Sequence, residues 1–333
     1  MMRVPPRLVR RLLLAPVLLL LESALVLASP VLALVARLLG GRRALRAFAI
    51  TVESAARHAA ATVACLALWV ASAFGRWAGS ARVQRAHYRV LRWFVGGVYG
   101  SITRMARVEV RVGGSEAAQA AMSARSGPVV VLSLHAGEGD SLLVLHQLLC
   151  RYRRRPRVVL HEALRLDPLI DVLGERLPNR FVDPRGGDTE VEIAAMASDA
   201  GPHDAVLIFP EGGNFSSARR ARGIERLEQA GHREEAAWAR EMTHVTAPRP
   251  GGALAALESA PHADVVFVAH AGIPAGAREL WRRLGGDQTV DVRMWLVPAA
   301  EIPPGRDERI DWLFAWWRTL DHWVRERDAA RAG

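Results

Sequence analysis

Two short polar blocks in a largely apolar chain hold the residue types that could do chemistry. The first, His135-Ala136-Gly137-Glu138-Gly139-Asp140, sets an imidazole and a carboxylate five residues apart across a turn loosened by two glycines. A histidine at a strand end and a carboxylate at the next helix start can fold back within hydrogen-bonding reach. The carboxylate then fixes the imidazole tautomer and stabilises the imidazolium, and such a pair can deprotonate a hydroxyl. There is no G-x-S-x-G sequence, and neither cysteine stands near a strand end, so the hydroxyl belongs to a substrate. For an isolated H-x4-D the plainer reading, a solvated loop histidine and a helix-capping aspartate, is the better one.

The second block is Phe209-Pro210-Glu211-Gly212-Gly213-Asn214. Two glycines after a strand allow close backbone approach to an anion, and successive N–H groups can cradle it. A carboxylate beside them, Glu211, can bind a substrate hydroxyl. Arg219, Arg220 and Arg222 follow. They can meet phosphates, or simply form a solvated helix face.

Both blocks need strands to position them, and the sequence supplies these. Residues 107–112 (RVEVRV) alternate like an edge strand, while 128–134 (PVVVLSL), 205–209 (AVLIF) and 264–269 (DVVFVA) are buried strand runs. Shorter strands are expected at 158–160 and 181–182, and one more at 290–297. A helix is expected over 140–150, and Thr189 with Glu192 forms a capping box for another through Ala200. Strands alternating with helices predict an α/β fold with a mostly parallel central sheet flanked by helices. In such sheets function collects beyond the carboxyl ends of strands, where both blocks fall.

The N-terminal region differs. Residues 12–36 and 59–75 are apolar runs, the first broken only by Glu22, Pro16 and Pro30, the second uncharged throughout. The first is long enough to cross a bilayer, which takes roughly 20 apolar residues. It is too long for a signal-peptide core. Arginine clusters before, between and after the runs disfavour a spanning hairpin and suit two helices dipping into one leaflet. The domain boundaries expected are 1–100 for a membrane-associated helical region, 101–300 for the catalytic α/β domain, and 301–333 for a Trp-rich helix packed on it.

Composition bounds the rest. The chain has 333 residues, half of them hydrophobic, and a net charge of +10 carried by 44 arginines and no lysine. That all-arginine usage resembles coding bias, so it is discounted as a sign of nucleic acid. Phosphate groups or an anionic membrane surface remain as partners. Two cysteines support neither a disulfide framework nor a zinc site. His161-Glu162 opens like a zinc-protease motif but has Arg165 where the second histidine must stand. No metal is expected.

Together, HAGEGD (residues 135–140) and FPEGGNFS (residues 209–216), in this order and about 70 residues apart, resemble the glycerolipid, or lysophospholipid, acyltransferase family, which includes the 1-acylglycerol-3-phosphate acyltransferases. The likeness covers roughly residues 105–300. TAPRPGG at 246–252 is similar to a proline-bearing block of its lysocardiolipin-type branch. The resemblance implies that His135 is the general base and Asp140 orients it, with the alkoxide attacking an acyl thioester without an acyl-enzyme. Pro210, Glu211, Gly212 and Gly213 would help bind the acceptor's glycerol-phosphate part. The family's phosphate-binding arginine would be Arg185, with Arg180 the rival. Where the family usually has Thr-Arg after the glycine, this chain has Gly213-Asn214.

The implied function is transfer of a fatty acyl group from acyl-CoA or acyl carrier protein to a lysophospholipid hydroxyl, in phospholipid synthesis or remodelling. It needs no cofactor and is placed at the cytoplasmic face of a bacterial plasma membrane. Its partners are membrane lipids, the acyl donor and the lysolipid, with no nucleic acid. The alternatives are the same chemistry on a glycan or glycolipid hydroxyl, a membrane-bound hydrolase in which His135 activates water, and a non-catalytic anionic-lipid-binding protein.

Overall fold

The computed structural model describes residues 4–332 apart from 138, 184–186 and 275. In chain order the elements begin with α1 (Arg7–Val9), a π-helical turn at Arg10–Leu14, α2 (Ala15–Ala71), α3 (Ala81–Met105), β1 (Val108–Gly114) and α4 (Glu116–Ala124). There follow β2 (Val129–Ser133), α5 (Asp140–His146), β3 (Arg155–His161), α6 (Pro168–Arg176), β4 (Arg180–Val182), α7 (Thr189–Ser198) and β5 (Asp204–Ile208). The remainder comprises α8 (Ser217–Gln229), α9 (Arg233–Glu241), α10 (Pro250–Ser259), β6 (Asp264–Ala271), α11 (Ala277–Arg283), β7 (Gln288–Val297) and α12 (Arg306–Ala332). The protein is of the α/β class, with a mostly parallel sheet flanked by helices and an apolar helical region before it.

The chain divides into two compact units. One comprises Met1–Val108, Arg157–Asp188 and Trp281–Gln288; the other comprises Glu109–Pro156, Thr189–Leu280 and Thr289–Gly333.

In the first unit, α2 contains a break. Gly41 takes φ 63° and ψ −154°, which a residue with a side chain rarely adopts, and the helix folds back there. Glu22 Oε1 therefore meets His58 Nδ1 at 2.7 Å, and His58 Nε2 reaches Asp167 Oδ1 at 3.1 Å. The arginine-rich stretch between the two apolar runs is helical, because Ala, Leu and Arg are all strong helix formers. Near the start of the chain, Arg10 and Arg11 pair with Asp171 of α6. Ser80 caps α3 by accepting from the Val83 N–H, and Asp167 caps α6 in the same way from Ile170. β3 and β4 pair in parallel, Val159 with Arg180 and Leu160 with Phe181.

In the second unit the strand order is β1-β7-β6-β2-β5. β2 is parallel to both β5 and β6, and β6 is antiparallel to β7. Every residue of β2 and of β5 is buried, which is why these two read as unbroken apolar runs and do not alternate. β1 alternates half-buried with exposed, as an edge strand with one covered face does. α12 lies over β6, where Trp316 stacks on Phe267 with centroids 4.4 Å apart and Trp317 and Leu320 are buried. α7 ends at Ser198, two residues short of the expected Ala200.

Candidate active site

The carboxyl ends of β2, β5 and β6 bring the two polar blocks together within the second unit. β2 ends at Ser133, so His135 stands just past it. The chain turns through Gly139, whose φ of 97° is left-handed, and α5 starts at Asp140. The turn returns the carboxylate to the imidazole: His135 Nδ1 and Asp140 Oδ2 are 2.9 Å apart. Asp140 also accepts from the Gly137 N–H at 3.2 Å and from the backbone and hydroxyl of Ser141. It is buried, while the His135 side chain keeps 22% of its surface. None of the described residues hydrogen-bonds His135 Nε2, so the basic nitrogen faces outward with Nδ1 occupied. Burial pushes the Asp140 carboxyl up, but the His135 hydrogen bond, the electrostatic pull of the His270 and His135 rings, and the Gly137 N–H together hold it below the usual value. It is a carboxylate, as an orienting group must be.

The second block braces the first. Glu211 is buried, and its oxygens accept from two backbone amides, Oε1 from His135 N–H and Oε2 from Thr246 N–H, each at 2.9 Å. The His135 carbonyl accepts from Phe215 N–H at 2.8 Å, and the Phe209 ring lies 4.7 Å from the imidazole. Main chain and ring of His135 are thus both held by residues some 75 positions away. Burial pushes the Glu211 carboxyl up to about 8; the two amide donors oppose this and the Asp140 charge adds to it. Each of its two oxygens is thus taken up by a backbone amide of a different segment.

Beside this brace the chain makes the turn Gly212-Gly213, with φ 69° and 152°. A Cβ on Gly213 would strike the Arg219 guanidinium, and one on Gly212 would lie 3.4 Å from that of Arg249. Ser216 caps α8, which sends Arg219 back over the turn, where it donates to the Gly212 carbonyl at 3.4 Å. Arg249 is placed by its own N–H, which donates to the Pro210 carbonyl at 2.8 Å. Burial and the charges of Arg226 and Arg219 push the Arg249 guanidinium below its usual range. No acidic partner for any of these three arginines is present among the described residues. They form a cationic cluster at the glycine turn, suited to an anion.

Of the residues expected from sequence, His135, Asp140, Pro210, Glu211, Gly212 and Gly213 come together here. Arg185 lies outside the described residues, and Arg180 is the first residue of β4 in the other unit. The sequence brings out Arg249 only as part of the TAPRPGG block, with no role of its own, and does not bring out Arg226 or His270. His270 carried a signal, being an ionisable residue directly after the apolar run 264–269. Among the described residues no group of three or more His, Cys, Asp or Glu could hold a metal ion. A separate cavity of about 460 Å³ in the same unit, lined by Arg111, Arg293, Trp295 and Trp323 among others, contains none of the residues of the two blocks.

Residues 109–269 match a family model described as Acyltransferase. This stretch is an acyltransferase domain of the glycerolipid acyltransferase family. The match runs from β1 into β6 and includes both blocks. No curated protein matches the chain. The domain is that of an enzyme transferring acyl groups, and one N-terminal helix, Arg7–Ala71, is long and apolar enough to cross a membrane.

Proposed function

We propose that the protein is a membrane-attached O-acyltransferase that moves a fatty acyl group from acyl-CoA or acyl carrier protein to the free hydroxyl of a lysophospholipid such as 1-acylglycerol-3-phosphate. The observation that carries the reading is the pairing of an outward-facing imidazole, backed by a buried carboxylate, with the cluster Arg219, Arg226 and Arg249 across the glycine turn, which has no acidic partner among the described residues. A lysophospholipid offers a hydroxyl to the first and a phosphate to the second.

His135 Nε2 takes the hydroxyl proton as the oxygen attacks the thioester carbonyl. Asp140 stabilises the imidazolium that forms. The tetrahedral adduct then expels the thiolate, which takes the proton back from His135 Nε2, so the ester is made with no acyl-enzyme and no resident cofactor. Gly212 and Gly213 let the acceptor phosphate approach the guanidinium groups closely. Glu211 and Pro210 hold the framework, the first through His135 and Thr246 and the second through Arg249.

Attachment to the cytoplasmic face of a plasma membrane fits the first arm of α2, where Leu20, Leu27 and Leu39 are 70%, 82% and 85% exposed. A lipid acceptor and a membrane-resident enzyme belong together.

The test gives purified protein labelled acyl-CoA or acyl carrier protein with a panel of lysolipids, read by mass spectrometry. Acyl transfer to a phosphate-bearing acceptor is expected, with a fall of about 10²–10⁴ in His135→Ala. Arg249→Ala should raise KM for that acceptor more than it lowers kcat. Fatty acid release without an acceptor would instead support hydrolysis, and transfer only to a sugar hydroxyl would move the acceptor to glycolipids. Full activity in His135→Ala would defeat the mechanism.

A further inference from the structure

His270 sits in β6 and its side chain has no accessible surface. Its Nε2 lies 3.1 Å from the Leu134 carbonyl oxygen, the acceptor immediately before His135, and 3.9 Å from Asp140 Oδ2. That is the same carboxylate oxygen that meets His135 Nδ1. None of the described residues hydrogen-bonds His270 Nδ1.

These distances assign the proton. With hydrogen on Nδ1, the Nε2 lone pair would face two further acceptors, a carbonyl oxygen and a carboxylate, with no donor among them. With hydrogen on Nε2, the ring donates to Leu134 and turns a positive edge toward Asp140. A leucine or phenylalanine would fill a buried strand position equally well and leave no unpartnered nitrogen, an omission that costs about 1–3 kcal/mol. The Nε2–H is what an apolar ring would not supply.

We infer that His270 is a positioning residue of the His135–Asp140 pair: its Nε2–H holds the Leu134 carbonyl, and with it the backbone entering His135, while setting a fixed positive edge against Asp140. The inference rests on reading His135 as the base and Asp140 as its orienting carboxylate. His270 exchanges no proton in the reaction. Burial keeps it neutral, reinforced by the charge of His135 and opposed by that of Asp140 and by the Leu134 carbonyl. The titratable groups facing it are Asp140 and His135. On β7, Val292 is its strand partner, and the neighbouring Asp291 is paired with Arg331 of α12. When His135 becomes an imidazolium, the strengthened pull on Asp140 is shared with an N–H that does not move.

The test compares the full chain with His270→Phe and His270→Gln, the second keeping a side-chain N–H. In His270→Phe, kcat is expected to fall about ten- to a hundredfold, with KM for donor and acceptor within twofold. The acid limb of the kcat profile should move to higher pH, because Asp140 without the N–H makes His135 more basic. His270→Gln should restore most of both. Wild-type turnover and an unmoved limb in His270→Phe would overturn the inference, as would a glutamine variant no better than phenylalanine. Imidazole ¹⁵N NMR of the unmutated protein in detergent decides it independently of any variant's folding. A neutral Nε2–H ring whose resonances move as His135 titrates supports the inference; an Nδ1–H ring, or a ring titrating like an exposed histidine, refutes it. A wild-type protein that acylates no lysolipid would refute the proposed function, while the NMR result would still decide the His270 arrangement.

Discussion

Glu211 ties His135 to Thr246 through two backbone N–H groups, and a one-atom change tests this bracing. Glu211→Gln keeps the shape but turns an amide NH2 toward one of the two donors, leaving it buried without an acceptor. That should cost about 1–3 kcal/mol of stability and, by loosening the base, roughly tenfold or more in turnover. Melting curves and kcat at fixed pH would show both. The pH dependence has a definite sign. The folded carboxyl stays protonated up to about 8, against an ordinary value of 4.5, so between these limits the folded chain holds a proton that the unfolded chain has released. Its contribution is therefore complete below about 4.5 and is lost as pH rises through about 8. Denaturation midpoints for the wild-type protein should decline across that window relative to those of Glu211→Gln. Parallel curves would show that Glu211 is ionised in the folded protein. At this scale the sequence brought out His135, Asp140 and Glu211 as candidates, but a motif cannot reveal that both Glu211 oxygens meet amides from other segments.

The strands and helices that carry these residues were mostly legible, because burial leaves a period in the sequence. β2, β5 and β6 fall on apolar runs, and β1 on an alternating one. The joints between elements were not legible, and Arg154 is the clearest case. It is 1% exposed and donates to the carbonyls of Ala121, Met122, Gly127 and Pro202, tying the end of α4 to the segments that enter β2 and β5. Burial lowers it to about 10, opposed by Asp204 and Asp264, so it is charged at neutral pH. In sequence it is one of four arginines in the run 151–155 and looks solvated. Arg154→Met should cost on the order of 3 kcal/mol or more, because each lost charged hydrogen bond is worth about 1.5–3 kcal/mol. Urea denaturation would measure this, and a loss within about 0.5 kcal/mol would show that water replaces the guanidinium.

For the molecule as a whole, the prediction concerns the membrane. The exposed leucines of the first α2 arm would each gain about 1.5–3 kcal/mol if removed from water. Changing Leu20, Leu27 and Leu34 together to Asp should lower partitioning onto anionic vesicles by a hundredfold or more, read by flotation. Catalysis on a short-chain acceptor dispersed in detergent should persist. Unchanged flotation would place the attachment elsewhere on the protein. Gly41 adds a feature that hydropathy cannot show: the two apolar runs are arms of one folded-back helix, joined by the left-handed turn that a glycine allows.

The sequence by itself determined the α/β class, the apolar N-terminal region and the two polar blocks that mark an acyltransferase domain. These are local properties: a period, a run length, a short spacing. Only the tertiary structure decided what each block does for the other. It placed Glu211 behind His135 and Arg249 over Gly212, and it set His270 against Asp140. Such contacts join segments 37 to 130 residues apart, and nothing in local composition specifies them. They exist because parallel strands deliver distant segments to one edge of the sheet, where buried polar groups must find their partners in one another.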